Sequence, residues 1–240
     1  MLFSATLNRV SRKIATEHMT RPAFVQVTPE KLTVDTISQE LYHVKSHIKM
    51  NLMLGIIKAQ SPQNALIFTN MRHSAFRLAK SLQQNGFRSQ HLTGDLPQNR
   101  RLSIIKDFMA GKFAFLVATD VAARGLHIDD LEMVINYDIP QDCENYVHRI
   151  GRTARAGNSG KAISLASEGS AEHLEAIESF IGMKLPVQTA EDSLFVTDNS
   201  VNSDSRKRLR NDRSIRNRTN SRPKNFHRKK NLERARQHAV

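Results

Sequence analysis

The 240-residue chain holds a single cysteine, Cys143. That excludes an intramolecular disulfide framework and an all-cysteine zinc site, and it suits a reducing compartment. Long apolar runs are missing too. Stretches such as residues 113–118 are far too short to span a bilayer, and the opening Met1-Leu2-Phe3-Ser4-Ala5-Thr6 begins no apolar signal segment with a cleavage site. A cytoplasmic protein is the expectation. Acidic residues become scarce near the carboxyl end: residues 206–240 hold fourteen Lys and Arg against Asp212 and Glu233, a net of +12. The whole chain carries +13, so everything before residue 206 is nearly neutral. The basic segment is poor in apolar residues, with Phe226 its one aromatic, and cannot offset its ordering entropy by burial. It is expected to be disordered.

What is present is an alternation of strand-like and helix-like runs between about residue 37 and residue 182. Residues 37–45, 65–69, 89–92, 113–118, 133–136 and 162–166 read as strands. Between them, helical spacing recurs: Ile48, Leu52, Ile56 and Ile57; then 75–82 up to Gly86; then Leu102, Ile105 and Phe108 up to Gly111; then 144–150 up to Gly151. Leu174, Ile177, Phe180 and Ile181 mark a last helix. Such alternation implies an α/β fold, a mainly parallel sheet covered on both faces with right-handed crossovers. Ligands of these sheets gather beyond the carboxyl ends of the strands. Polar residues stand at those ends: Asn70-Met71-Arg72, Thr93-Gly94-Asp95 and Thr119-Asp120. Residues 1–25 read as one helix (Val10, Ile14, Ala15) and one strand (23–27), followed by a linker over 28–36.

Chemistry concentrates in Tyr146-Val147-His148-Arg149-Ile150-Gly151-Arg152-Thr153-Ala154-Arg155. Three arginines recur every third residue across a helix end. Their planar forks match phosphate oxygens, although a solvated basic helix face would have the same spacing. The neighbouring segments decide between the two. Phe3-Ser4-Ala5-Thr6, Phe115 to Leu126 (with Thr119-Asp120 and Arg124-Gly125), Val134 to Asp138 and the arginine segment stand in one order. Together they closely resemble the DEAD-box family of ATP-dependent RNA helicases, in the second of its two RecA-like domains, over about residues 1–187. The Gly125-Leu126-His127-Ile128 stretch and residues 142–148, with the basic tail, look most like bacterial degradosome-associated members.

The resemblance implies a three-layer RecA-like domain over 37–187, preceded by a remnant of the first RecA-like domain (1–27) and followed by a disordered basic tail (188–240). It implies roles residue by residue. Ser4 and Thr6 match the segment coupling nucleotide state to strand separation, with Arg124 where nucleotide and RNA sites meet. Asn70, Arg72, Gly94, Asp95, Gln98, Arg101, Thr119 and Asp120 match the grip on the RNA backbone, which holds phosphates without reading bases. Arg152 and Arg155 match arginine fingers on the γ-phosphate. Gly125 and Arg149 match the interdomain nucleotide site. His127 stands where most members have an Asp that bonds the ATP ribose; Asp129, two residues on, is a candidate substitute. Ala154 stands where Gly is commoner, which removes freedom for positive φ. Taken singly these residues say little: Ser4-Ala5-Thr6 would be a helix cap, Gly94-Asp95 a turn, Gln98 and Arg101 a solvated helix face, and His148 a packed histidine.

No G-x-x-x-x-G-K-[ST] phosphate loop and no Asp-Glu-Ala-Asp box occur in the sequence. ATP and Mg²⁺ are therefore expected to be held mainly by a missing first RecA-like domain, with no metal site in this chain. The expected partners are RNA, that first domain and a ribonuclease scaffold of an RNA-degrading complex, with no membrane. Three readings follow: the carboxyl-terminal portion of an RNA helicase, inactive by itself; a free-standing RNA-binding module; and a helicase-related DNA enzyme.

Overall fold

The computed structural model describes residues 1–2, 9–25, 37–124, 126, 128–154 and 160–200. Ser4, Thr6, Gly125, His127, Arg155, the 28–36 linker and residues 201–240 lie outside them.

The first helix is α1 (Arg9–His18). Of the strand expected over 23–27, residues 23–25 are not in a strand, and residues 26–27 lie outside the described residues. The body then alternates as β1 (Ile37–His43), α2 (Lys49–Gln60), β2 (Ala65–Phe68), α3 (Arg72–Gln84), β3 (Ser89–Leu92), α4 (Gln98–Met109) and β4 (Phe115–Ala118). It continues as the single turn α5 (Asp120–Ala123), β5 (Met133–Asn136), α6 (Cys143–Ile150), β6 (Gly160–Ala166), α7 (Ala171–Ile181) and β7 (Val187–Gln188). Seven strands form one sheet in the order β3-β4-β2-β5-β6-β1-β7, and every pairing is parallel. This is the RecA-like α/β architecture. Among the described residues, no helix is long and apolar enough to cross a membrane.

Side chains alternate across the sheet, and the two cores divide accordingly. Ala65 and Ile67 of β2 join α2 and α3 on one face, while Leu66 and Phe68 join α4 and α5 on the other. A third cluster packs α6 and α7 on Leu41, Ala162 and Ala166. Crossovers from β1 and β2 thus pass over one face, and those from β3 onward over the opposite one. The loops after β2 and β4, which are neighbours, diverge to opposite faces and leave a crevice between them.

Helix α2 is apolar nearly all round, with Leu52 through Ile57 buried. A helix of that kind needs cover on its outer side. Cover comes from residues 189–198, which the sequence pattern assigned to a disordered tail. This strap holds a 3-10 turn at Asp192–Leu194 and packs Ala190, Leu194, Phe195 and Val196 on the core. Val196 N–H donates to the Asn51 carbonyl at 3.2 Å, and the Asn51 amide donates back to the Val196 carbonyl at 2.9 Å. The mixed composition of 189–198 hides this role, since its few apolar residues meet a distant helix rather than one another.

Candidate functional site

The crevice between β2 and β4 opens into a groove of about 610 Å³, lined by Asn70, Met71, Arg72, His73, Gly94, Thr119 and Val121. Each residue arrives at the end of a strand or in the first turn of the helix that follows. The groove thus gathers Asn70, Arg72, Gly94 and Thr119 from the residues expected to hold a phosphate backbone. An added Cβ at Gly94 would sit at an ordinary 3.6 Å from Val121. The glycine therefore keeps clear the groove itself, where a ligand backbone can approach. Asp95, exposed beside it, is held below the usual carboxylate range by the Thr93 hydroxyl and its own backbone N–H, with Arg72 and His91 adding smaller effects.

Beneath the groove runs a buried polar network centred on Arg149, which is 1% exposed. Its Nε and one Nη clasp the Asp120 carboxylate at 2.6 and 2.7 Å. Its remaining donors reach the Asn70 side chain at 2.9 Å and the Asp138 carbonyl at 2.6 Å, with Asn136 at 3.4 Å. The guanidinium also lies over the Phe68 ring, 5.0 Å from its centroid. This constellation joins two residues whose expected roles were separate. Asp120 spends both carboxylate oxygens on Arg149 rather than facing the groove, and Arg149 offers no surface to a nucleotide. Arg149 thereby links Asp120 to Asn70, whose amide nitrogen donates to the Ile139 carbonyl at 2.9 Å.

The network extends through residues that the sequence pattern did not single out. Asp138 accepts the Asn70 backbone N–H at 3.1 Å and Lys49 Nζ at 3.4 Å. Lys49 is buried against the Tyr137 ring and Ser167, and burial lowers its ammonium below the ordinary range against the pull of Asp138. Burial likewise pushes the Tyr137 hydroxyl up to about 12. A lysine heading the apolar run of α2 was the available signal for Lys49. For Asp138 it was a carboxylate two residues past a buried strand.

Gln98 and Arg101 are joined to each other, not free on a helix face. Arg101 donates to the Gln98 side chain and to the Ala122 carbonyl, each at 2.9 Å, while its Nε is buried without a partner among the described residues. The pair ties the start of α4 to the end of α5. Arg152 donates to the Leu126 carbonyl at 3.1 Å and to Asp129 at 3.2 Å, which aligns its fork beside these two residues. Asp129 is thereby engaged with the arginine. Arg124, exposed, donates to Asn145 at 2.7 Å. His148 sits half-buried between these arginines; burial first, and Arg124 next, hold its imidazole below the ordinary range, as expected of a packed histidine. Ala154 adopts φ of 56°, so the backbone does demand there the freedom that glycine gives.

Among the described residues, no group of three His, Cys, Asp or Glu could hold a metal ion. Arg152 does fit a phosphoryl group, being a half-buried fork oriented by a carboxylate.

Residues 48–157 match the family described as helicase conserved C-terminal domain. The chain is 46% identical over 198 residues to the ATP-dependent RNA helicase RhlB of Shewanella baltica, covering 82% of this chain and 45% of that protein. It thus spans less than half the length of the curated relatives it matches. Among solved structures it is similar to the E. coli DEAD-box protein SrmB bound to regulator of ribonuclease activity A, at 34% identity and TM-score 0.63, covering 67% of this chain and 95% of that one. It is also similar to S. cerevisiae Dbp5 bound to RNA and ADP BeF3, at 30% identity and TM-score 0.68, covering 78% and 50% respectively.

Proposed function

The chain belongs to the DEAD-box family of RNA helicases, matching its C-terminal RecA-like domain, and from that premise we propose that its groove grips the backbone of single-stranded RNA. The observation that carries this reading is the convergence of Asn70, Arg72, Gly94 and Thr119 on one open groove at the switch point of the sheet. Asn70 is pre-positioned by the buried Arg149 and by Asp138, so its orientation is set before RNA arrives. No base-reading side chain is needed: a phosphate–sugar grip positions the strand without selecting sequence. Residues 206–240, with +12, add phosphate contacts of the same sequence-independent kind.

ATP hydrolysis coupled to unwinding is the activity of the two-domain enzyme in this proposal. Arg152, aligned by Asp129, and Arg155 would neutralise charge on the γ-phosphate of an ATP held by a first RecA-like domain. That nucleotide with Mg²⁺ supplies the phosphoryl group whose transfer drives the cycle. The residues of this chain supply positive charge toward the departing phosphate and hold the RNA. The chain by itself then behaves as an RNA-binding module, the second reading, which the absence of a phosphate-loop sequence favours. A protein of an RNA-degrading complex is the proposed macromolecular partner, and the cytoplasm the proposed setting.

The test is fluorescence anisotropy with a labelled single-stranded RNA at several salt concentrations. Arg72→Glu is expected to weaken binding about tenfold or more and to flatten the salt dependence by about 0.7 or more in log–log slope, the value for one phosphate on a single strand. Unchanged affinity and slope would remove the groove from RNA binding and leave the basic tail as the sole contact.

A further inference from the structure

Next to the groove-lining turn of α3 stands an aromatic pair that a backbone grip leaves unused. Phe76 lies one helical turn after Arg72 on α3 and is 54% exposed despite its size. Its ring meets the His91 imidazole edge-on, with centroids 5.3 Å apart and planes at 88°. Helical Cβ bonds tilt toward the amino end of the helix, so Phe76 covers the turn that carries Arg72 and His73. Both of those residues line the groove. His91 stands on the edge strand β3, three residues before Gly94, on the strand face opposite the buried Leu92.

Charge ties the aromatic pair to the same rim. Asp95 and Arg100 act on His91, and Arg72 and His91 act on Asp95, so these groups share one patch. Burial holds the His91 imidazole below its ordinary range, which makes it an uncharged aromatic brace at neutral pH. A half-exposed ring flanked by arginines suits one occupant above others. Single-stranded nucleic acid is held by a positive groove together with aromatic faces on which bases stack, and every base has such a face.

We propose that Phe76, braced by His91, is a stacking subsite for one nucleobase of the single strand whose backbone occupies the groove. It rests on the proposed RNA grip and adds to it a contact with a base. A base turned toward α3 meets the ring while its phosphate reaches Arg72, one turn nearer the groove.

The experiment uses the full 240-residue chain and two single-stranded RNAs of equal length, one bearing bases and one with abasic sites. A third RNA carries 2-aminopurine at successive positions, whose fluorescence is quenched on stacking. Phe76→Ala is expected to weaken the base-bearing RNA about fivefold and leave the abasic RNA unchanged, since each stacked base contributes about 1 kcal/mol or more. Phe76→Trp is expected to restore affinity and to retain the quenching position that Phe76→Ala loses. The abasic strand reports whether a variant still folds and grips. Equal losses on both strands, or no loss on either, would overturn the subsite and mark the ring as a surface for something other than a base, with the RNA grip intact if the unaltered chain binds both strands. Failure of the unaltered chain to bind either RNA would overturn the grip and the subsite together.

Discussion

Arg149 is a buried arginine that joins the Asp120 carboxylate to the Asn70 side chain. Its side chain is sealed among Asp120, Asn136, Asp138, Asn70 and the Phe68 ring. Removing one partner of a buried ion pair typically costs 3–5 kcal/mol, because the other charge stays behind without compensation. The Asp120 side chain keeps 22% of its surface exposed, so water recovers part of that charge. Arg149→Ala should therefore lose about 3 kcal/mol, read as a lower urea midpoint at unchanged slope. A midpoint within a few tenths of a molar of the parent would show that the network is dispensable. Ala154 offers the opposite sign. With φ of 56° it holds a conformation that costs an L-residue about 1 kcal/mol. Ala154→Gly should raise stability by up to about 1 kcal/mol, less what the more flexible unfolded chain takes back. A lower melting temperature would contradict this.

At the scale of elements, the strap over α2 decides which residues the helix tolerates. A Cβ at Gly55 would run into the Leu194 carbonyl, a backbone atom that cannot rotate aside. In most helices Gly→Ala stabilises by about 1 kcal/mol. Here Gly55→Ala should destabilise the intact chain by about 1–3 kcal/mol, as overpacking does, while stabilising a chain truncated after residue 188. Guanidinium or urea titration of the four proteins reads this reversal of sign; the same sign in both backgrounds would mean that the strap does not press on α2. Helix α6 is instead fixed locally, by a cap at its start. The Asp142 side chain accepts the Glu144 N–H at 3.0 Å, and so fixes the helix that carries His148 and Arg149 into the site.

At the largest scale, the quantity to measure is what residues 1–240 do by themselves. Phosphoryl transfer needs a phosphate cradle and a metal, and the sequence has no phosphate loop. A phosphate-release assay of the purified chain with Mg²⁺-ATP and RNA should show no RNA-stimulated turnover. In a chain joined to a first domain, Arg152→Ala or Arg155→Ala should lower turnover on the order of 10³-fold, while RNA binding without nucleotide changes little. Turnover by the isolated chain that persists through rigorous purification, or near-parent rates in both variants, would place the phosphate chemistry elsewhere.

Strand and helix alternation, with buried four-residue runs such as 65–68 and 133–136, was legible before any coordinates. So was the gathering of polar residues beyond the carboxyl ends, because parallel sheets impose both on any chain with this periodicity. The order of the strands was not legible, since short buried strands carry no mark of their neighbours, and the crevice between β2 and β4 exists only through that order. Only the tertiary structure set Asp120 and Arg149 against each other, brought Lys49 to Asp138 across 89 positions, and laid 189–198 over α2. Each of these is a long-range polar or small-area contact, and such contacts leave no local period. The sequence by itself determined the elements and the family; tertiary packing decided which of the charged residues line the groove and which lie buried beneath it.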